Sequence, residues 1–280
     1  MDFDEAAIAH IAWKDRLFDY LTKRDGSLNP KELALDDKCA LGQWIRAGGL
    51  RYSTYPEYAT LKSQHTRFHK TVGDIVRGAC LGLSVRPETV LGTESEYGEA
   101  SAAVVTAIMG LKRRAETGSR SMVAATGNAG YATTAATSWT SGKPQIELLD
   151  WDSSYSVSVG QLDEHHQYLF CLINILQGAS GKGKEDSVVG MVLAELAGYA
   201  ENHFNVEEVL MEQANYPALP EHRREHQAFI ARVAEFKKNL AAGMEGNAVA
   251  VLGFLKDWLI KHIQQVDKKY SACMNEVGIH

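Results

Sequence analysis

Residues 203–226 read HFNVEEVLMEQANYPALPEHRREH, and the way this stretch folds decides the architecture of the chain. Tyr216 and Pro217 signal a turn between two runs of helical spacing, with Phe204, Val206, Leu210 and Met211 before it and Phe229 and Ile230 just after the quoted stretch. His203 and Glu207 lie four residues apart on the first run, and His222 and His226 do so on the second, so each pair stacks on one face of its helix. The turn reverses the chain and lets the two helices present these pairs to one another. A solvated surface with scattered imidazoles is the plain alternative.

Working outward, the C-terminal half opens with IELLDWDSSYSVSVGQLDEHH (residues 146–166), an irregular or extended lead-in. Four amphipathic segments follow, at about residues 163–177, 186–214, 220–242 and 247–274. Short connections between long helices predict an up-down-up-down antiparallel bundle. His166 lies near the start of the first helix, and His262 with Asp267 lies on the last, so every helix contributes to one constellation of five imidazoles and two carboxylates. Trp258, Leu259 and Ile263 surround His262, and an imidazole in such company must be hydrogen-bonded or ligated. A lone histidine of this kind is ordinarily a satisfied core residue. Five in ordered spacing, with partner carboxylates, point instead to a metal site built from inward-facing side chains.

The pattern Asp-x-x-His, His-x-x-x-Glu, His-x-x-x-His, His-x-x-x-x-Asp runs through WDSSYSVSVGQLDEHHQYLFCLINIL, HFNVEEVLM, YPALPEHRREHQAF and WLIKHIQQVDKKY. It resembles bacterial hemerythrins over residues 148–276. The resemblance implies a non-haem di-iron centre, oxo- or hydroxo-bridged, that binds O2 reversibly. On matching motif positions, His166 and His203 would hold the iron with the open place where O2 binds. His222, His226 and His262 would hold the other iron, and Glu207 and Asp267 would bridge the two. Mostly neutral imidazole ligation leaves more positive charge on a ferrous pair than carboxylate-rich ligation does, so electrons lent to O2 can return. That favours a carrier or sensor over an oxygenase, with a di-iron peroxidase or an enzyme removing nitric oxide as the alternative. The Asp163-x-x-His spacing selects His166, so His165 reads as a surface or supporting residue, and Glu208 as a solvated or supporting carboxylate.

The first half also reads as helices. AAIAHIAWKDRLFDYLTK (residues 6–23) predicts one helix, Asp36 or Asp37 caps KCALGQWIRA, and capping boxes are expected at Thr54 with Glu57 and at Thr93 with Glu96. The result is three long helices and a short one. His65 and His69 stack on the third, His10 lies on the first and Cys39 on the short one. Three nitrogens and a thiolate suit tetrahedral Zn2+, although a buried cysteine with unrelated histidines has the same sequence appearance. The runs HIAWKDRL, CALGQWI and HTRFHK resemble the chemoreceptor zinc-binding domain over residues 6–115. That resemblance implies one zinc held by His10, Cys39, His65 and His69, in a regulatory module responsive to zinc or oxidants. Trp13 and Trp44 read as packing near the site, and the other three cysteines as small core residues. Four ligands would close the zinc sphere, which speaks against a catalytic zinc.

Between these halves the composition shifts to Ala, Thr, Ser and Gly, which reads as a linker, with a helix in part of it as the other reading. The expected organisation is therefore all-α: a zinc-binding bundle at 1–117, a linker at 118–147 and a di-iron four-helix bundle at 148–280. With 280 residues and 45% hydrophobic content, each half can bury a core. A net charge of -6 with no basic stripe excludes a nucleic-acid binder. No apolar run approaches the roughly 18 residues of a bilayer span, and the start is acidic rather than basic, so a cytoplasmic protein is expected. With no output domain in view, signalling would require a homodimer through the N-terminal bundle or a separate partner.

Overall fold

The computed structural model describes residues 2–24, 26–83, 85–126, 148–181, 186–242 and 247–280, and no strand occurs among them. The N-terminal half is built from α1 (Phe3–Ile11), α2 (Trp13–Lys23), α3 (Pro30–Leu33), α4 (Ala40–Arg46), α5 (Pro56–Cys80), α6 (Pro87–Val90) and α7 (Glu96–Thr126). The C-terminal half holds α8 (Gly160–Gly181), α9 (Asp186–Gln213), α10 (Leu219–Ala241), α11 (Asn247–Gln265) and α12 (Ser271–Glu276). α8 packs on α9, α9 on α10, and α11 closes the ring against α8 and α10, which makes the antiparallel four-helix bundle expected for this half.

Several helix ends differ from the sequence reading, each for a local reason. The first helix breaks at Ala12 into α1, buried on two sides, and α2, which buries only Leu17, Tyr20 and Leu21. Pro56 at the first helical position starts α5, with Tyr55 rather than Thr54 at the cap and no side-chain cap bond, because a proline there gives up no hydrogen bond. Ser95, not Thr93, caps α7, its Oγ accepting from the Gly98 amide at 3.1 Å. Cys39 takes the cap of α4, while Asp36 instead accepts from Arg46 and Thr66. The last long helix ends at Gln265, and a 3-10 turn at Asp267–Lys269 follows, which carries Asp267 inward at 0% exposure. α7 runs on through residues 118–126, where alanine sustains a helix, so the helical reading holds for that part of the predicted linker. The remainder, 127–147, lies outside the described residues.

The two halves touch directly. α1 packs against α7 on one side and α8 and α9 on the other, as befits a helix whose Ala6, Ala7, His10 and Ile11 are all buried. Close approach is possible because Gly178 faces it: a β-carbon there would lie 2.9 Å from Asp4 Oδ2. Lys14 of α2 pairs with Glu195 of α9 at 2.9 Å. Among the described residues no helix is long and apolar enough to cross a membrane.

Candidate metal centres

In the C-terminal bundle the seven residues singled out by spacing are brought to one place. α8 supplies His166, α9 His203 and Glu207, α10 His222 and His226, α11 His262, and the turn after it Asp267, all between 0% and 3% exposed. Donor atoms of Glu207, His222, His226 and His262 lie within 4.8 Å of one another, as do those of His166, His203 and Glu207. Glu207 thus belongs to both groups. Asp267 spans them as well: its Oδ1 lies 3.0 Å from His262 Nε2 and 3.6 Å from His222 Nε2, while its Oδ2 lies 3.5 Å from His166 Nε2.

The donor set fits cations better than it fits a hydrogen-bonded core. His226 Nε2 faces His262 Nε2 at 3.1 Å, and both His222 Nε2 and His226 Nε2 stand 3.0 Å from Glu207 Oε2. Both nitrogens of His166, Nδ1 of His203 and both oxygens of Asp267 are buried without a hydrogen-bond partner. Orphans of this kind are costly unless something satisfies them. Burial is the first cause that lowers His166 and His262 to about 4 and His203 well below its ordinary value, so these rings stand neutral, the form a metal requires. The carboxylates divide. Against the cost of burial, hydrogen bonds from His222 and His226 hold Glu207 well below the usual range, whereas burial and then the Glu207 charge push Asp267 well above it.

Surrounding groups fix the rings. Glu208 Oε1 lies 2.8 Å from His226 Nδ1 and is itself held by Arg223 at 2.8 Å, so it is a supporting carboxylate rather than a solvated one. Phe204 stacks on His226 at 3.8 Å and Trp258 on His262 at 4.2 Å. Asp163 accepts from Ser156 Oγ and the Val157 amide, which ties the lead-in to the start of α8. His165 is 9% exposed, not a surface residue, and its ring meets the edges of Tyr199 and His203.

A second cluster sits in the N-terminal half, where donor atoms of Cys39, His65 and His69 lie within 4.8 Å of one another. Cys39 Sγ is 3.2 Å from His65 Nε2 and accepts from the Gly42 amide at 3.2 Å. His69 Nδ1 lies 2.6 Å from the Leu33 carbonyl, so that nitrogen donates and Nε2 is left free for the cluster. His10 is not within that group; it packs its ring 4.2 Å from Phe68, with Nε2 buried and unpartnered. Burial, then the neighbouring His65 and His69, lowers it to about 3. Burial likewise lowers His65 to about 4 and pushes the Cys39 thiol up. Gly42 is required sterically, because a β-carbon would fall 1.7 Å from the Asp36 carbonyl oxygen and 3.1 Å from His65 Cε1. Of the other cysteines, Cys171 is buried and Cys273 half-buried, but Cys80 is exposed and so is not a core residue.

Residues 157–273 match the hemerythrin HHE cation binding domain. The bacteriohemerythrin of Stenotrophomonas maltophilia is 34% identical over 126 residues, which span 45% of this chain and 81% of that protein. The chain belongs to the hemerythrin family. The myohemerythrin of Riftia pachyptila is 36% identical over 122 residues, 44% of this chain and 90% of that one. A crystal structure of wild-type hemerythrin covers 46% of this chain and 98% of its own at 32% identity, with a TM-score of 0.43. Ahead of this hemerythrin half, residues 10–76 match the chemoreceptor zinc-binding domain.

One residue of the hemerythrin half escaped the sequence reading. Tyr270 is fully buried, and its hydroxyl donates to Glu207 Oε1 at 2.6 Å. Burial is the first cause raising its hydroxyl well above the ordinary value, so it stays a donor. The available signal was its place three residues after Asp267, one turn on.

Proposed function

We propose that the hemerythrin half holds two iron ions that bind O2 reversibly, and that the N-terminal half holds one Zn2+ as a redox-responsive regulatory module. The supporting observation is the pair of donor groups that share Glu207, with the two oxygens of Asp267 turned to different groups. In this reading Glu207 and Asp267 would be shared by both irons, His222, His226 and His262 would hold one, and His166 with His203 would hold the other, whose smaller donor set would leave room for O2. A ferrous pair ligated mainly by neutral imidazoles supplies reversible two-electron chemistry towards O2.

The protein's own part is to keep these donors out of water, with the His166, His203 and His262 rings neutral and Glu207 ionised. Tyr270 keeps one oxygen of Glu207 hydrogen-bonded, which fixes the carboxylate plane. Glu208 holds the His226 ring through Nδ1, and the stacked Phe204 and Trp258 rings prevent His226 and His262 from turning. In the N-terminal half, Cys39, His65 and His69 would hold zinc, with His10, whose buried Nε2 has no partner, as the fourth donor. Dividing the chain into modules at 1–117 and 148–280 belongs to the same reading. Oxidation of Cys39 would remove the only sulfur from the zinc donors and loosen the start of α4, which is how the module would sense oxidants.

Elemental analysis of the full chain purified without added metal tests the assignment. About two irons and one zinc per chain are expected from the donor sets. Cys39→Ser should lose the zinc and retain both irons. Zinc alone in the parent chain, or iron lost with Cys39→Ser, would contradict it.

A further inference from the structure

Glu94 lies in the turn before α7, outside both matched regions, yet it reaches the hemerythrin half at its metal centre. Its Oε1 accepts from Asn202 Nδ2 at 2.6 Å and stands 4.0 Å from His165 Nε2. Asn202 immediately precedes His203, and His165 immediately precedes His166. A single oxygen from the N-terminal half therefore holds the chain neighbour of His203 by a hydrogen bond and faces the chain neighbour of His166 beyond hydrogen-bond reach. The His166 and His203 rings meet there edge to face, with centroids 4.7 Å apart, and the His165 ring packs on His203 at 5.6 Å.

Glu94 is delivered by a rigid turn. Ser95 Oγ donates to the Gly92 carbonyl at 2.6 Å and accepts from the Gly98 amide. α7 lies so close beneath that a β-carbon on Gly98 would fall 2.3 Å from the carbonyl oxygens of both Gly92 and Thr93. The half-exposed carboxylate thus has a fixed origin on one half while it holds Asn202 of α9 on the other.

We propose that Glu94 is a positioning residue for the His166 and His203 end of the metal centre, acting through its hydrogen bond to Asn202, which fixes α9 beside His203. The proposal rests on the di-iron reading for its consequence, though not for its geometry. In this chain the hemerythrin site would be completed by a residue from outside the hemerythrin domain.

The test uses the full chain with Glu94→Ala, Glu94→Gln, Asn202→Ala and the Glu94→Ala/Asn202→Ala pair. In iron-loaded protein, Glu94→Ala and Asn202→Ala should each speed iron release to a ferrous chelator by about three- to tenfold, below the range for groups bonded directly to ligands. The pair should be no faster than either alone, and Glu94→Gln, which retains an acceptor for Asn202, should restore release to within about twofold. In metal-free protein, Glu94→Ala should shift the imidazole NMR signals of His166 and His203 and leave those of His222 and His262 in place. Unchanged release and unchanged signals, or additive effects in the pair, overturn the proposal. If the parent chain takes up no iron, the di-iron reading fails, and the metal-free signals still decide whether Glu94 positions these rings.

Discussion

The 280-residue chain carrying Glu207→Gln should fold, take up zinc and fail to hold iron. Glu207 is the residue common to both donor groups and is completely buried. The amide has nearly the same volume and still offers Tyr270 an acceptor, so packing survives. What disappears is the negative charge that faces His222 and His226 at 3.0 Å. Removing a group one step out from a metal already costs about 10–100-fold in affinity, so loss of a shared carboxylate should exceed about a hundredfold. Iron content by elemental analysis and the helical circular dichroism signal measure the two halves of this expectation. Retention of two irons would remove Glu207 from the metal centre.

The second large effect concerns pH. In metal-free protein His10 is lowered to about 3 and His65, His166 and His262 to about 4, in each case first by burial. Below the unfolded value of about 6.5 the unfolded chain binds protons that the folded chain refuses, so stability falls as pH falls from about 6.5 towards about 4. Each unit of difference is worth about 1.4 kcal/mol, and although neighbouring sites do not add, the combined loss is on the order of several kcal/mol. That is comparable with the whole stability of an ordinary domain, about 5–15 kcal/mol. Asp267 acts in the opposite sense, because its raised folded value favours the folded state at low pH, but it is one group against these four and His203, which burial also lowers well below its ordinary value. The urea midpoint of the metal-free chain should therefore drop steeply across this window. Bound metals should hold the midpoint up until acid displaces them, because a ligand specific to the folded state stabilises by mass action. An apo midpoint that is flat from pH 6.5 to 4 would mean the imidazoles are not buried neutral.

Much of this was legible because helical spacing is a rigid ruler. His203 with Glu207, and His222 with His226, can hardly avoid sharing a face, and the Tyr216-Pro217 turn can hardly avoid opposing the two faces. Spacing could not show what depends on contact between elements. Glu208 reads from sequence as a solvated or supporting carboxylate, and only the approach of α10 reveals that it holds His226 and is held by Arg223. His165 reads from sequence as a surface or supporting residue, and only the fold, which buries it beside His203, decides for the second. Cap assignments failed where several candidates stood side by side: Asp36 and Asp37 compete with Cys39, and Thr54 with Pro56. The composition of residues 118–126 did not distinguish a linker from a helix, since alanine serves both.

Docking of the halves alters the expectation of two modules on a loose tether. α1 carries His10 towards Phe68 on one side and lies against α8 and α9 on the other, so the helix beside the Cys39, His65 and His69 cluster also touches the hemerythrin bundle. Lys14 with Glu195 and Glu94 with Asn202 add polar contacts to that interface.

Reversible O2 binding by the C-terminal bundle is what the proposed iron pair would supply. Its most direct test is the visible and near-ultraviolet spectrum of the reduced, iron-loaded chain through cycles of air and argon. A band that grows in air and disappears under argon, repeatedly and without added reductant, is the predicted result. A band that persists under argon, with return only on reduction, would contradict it.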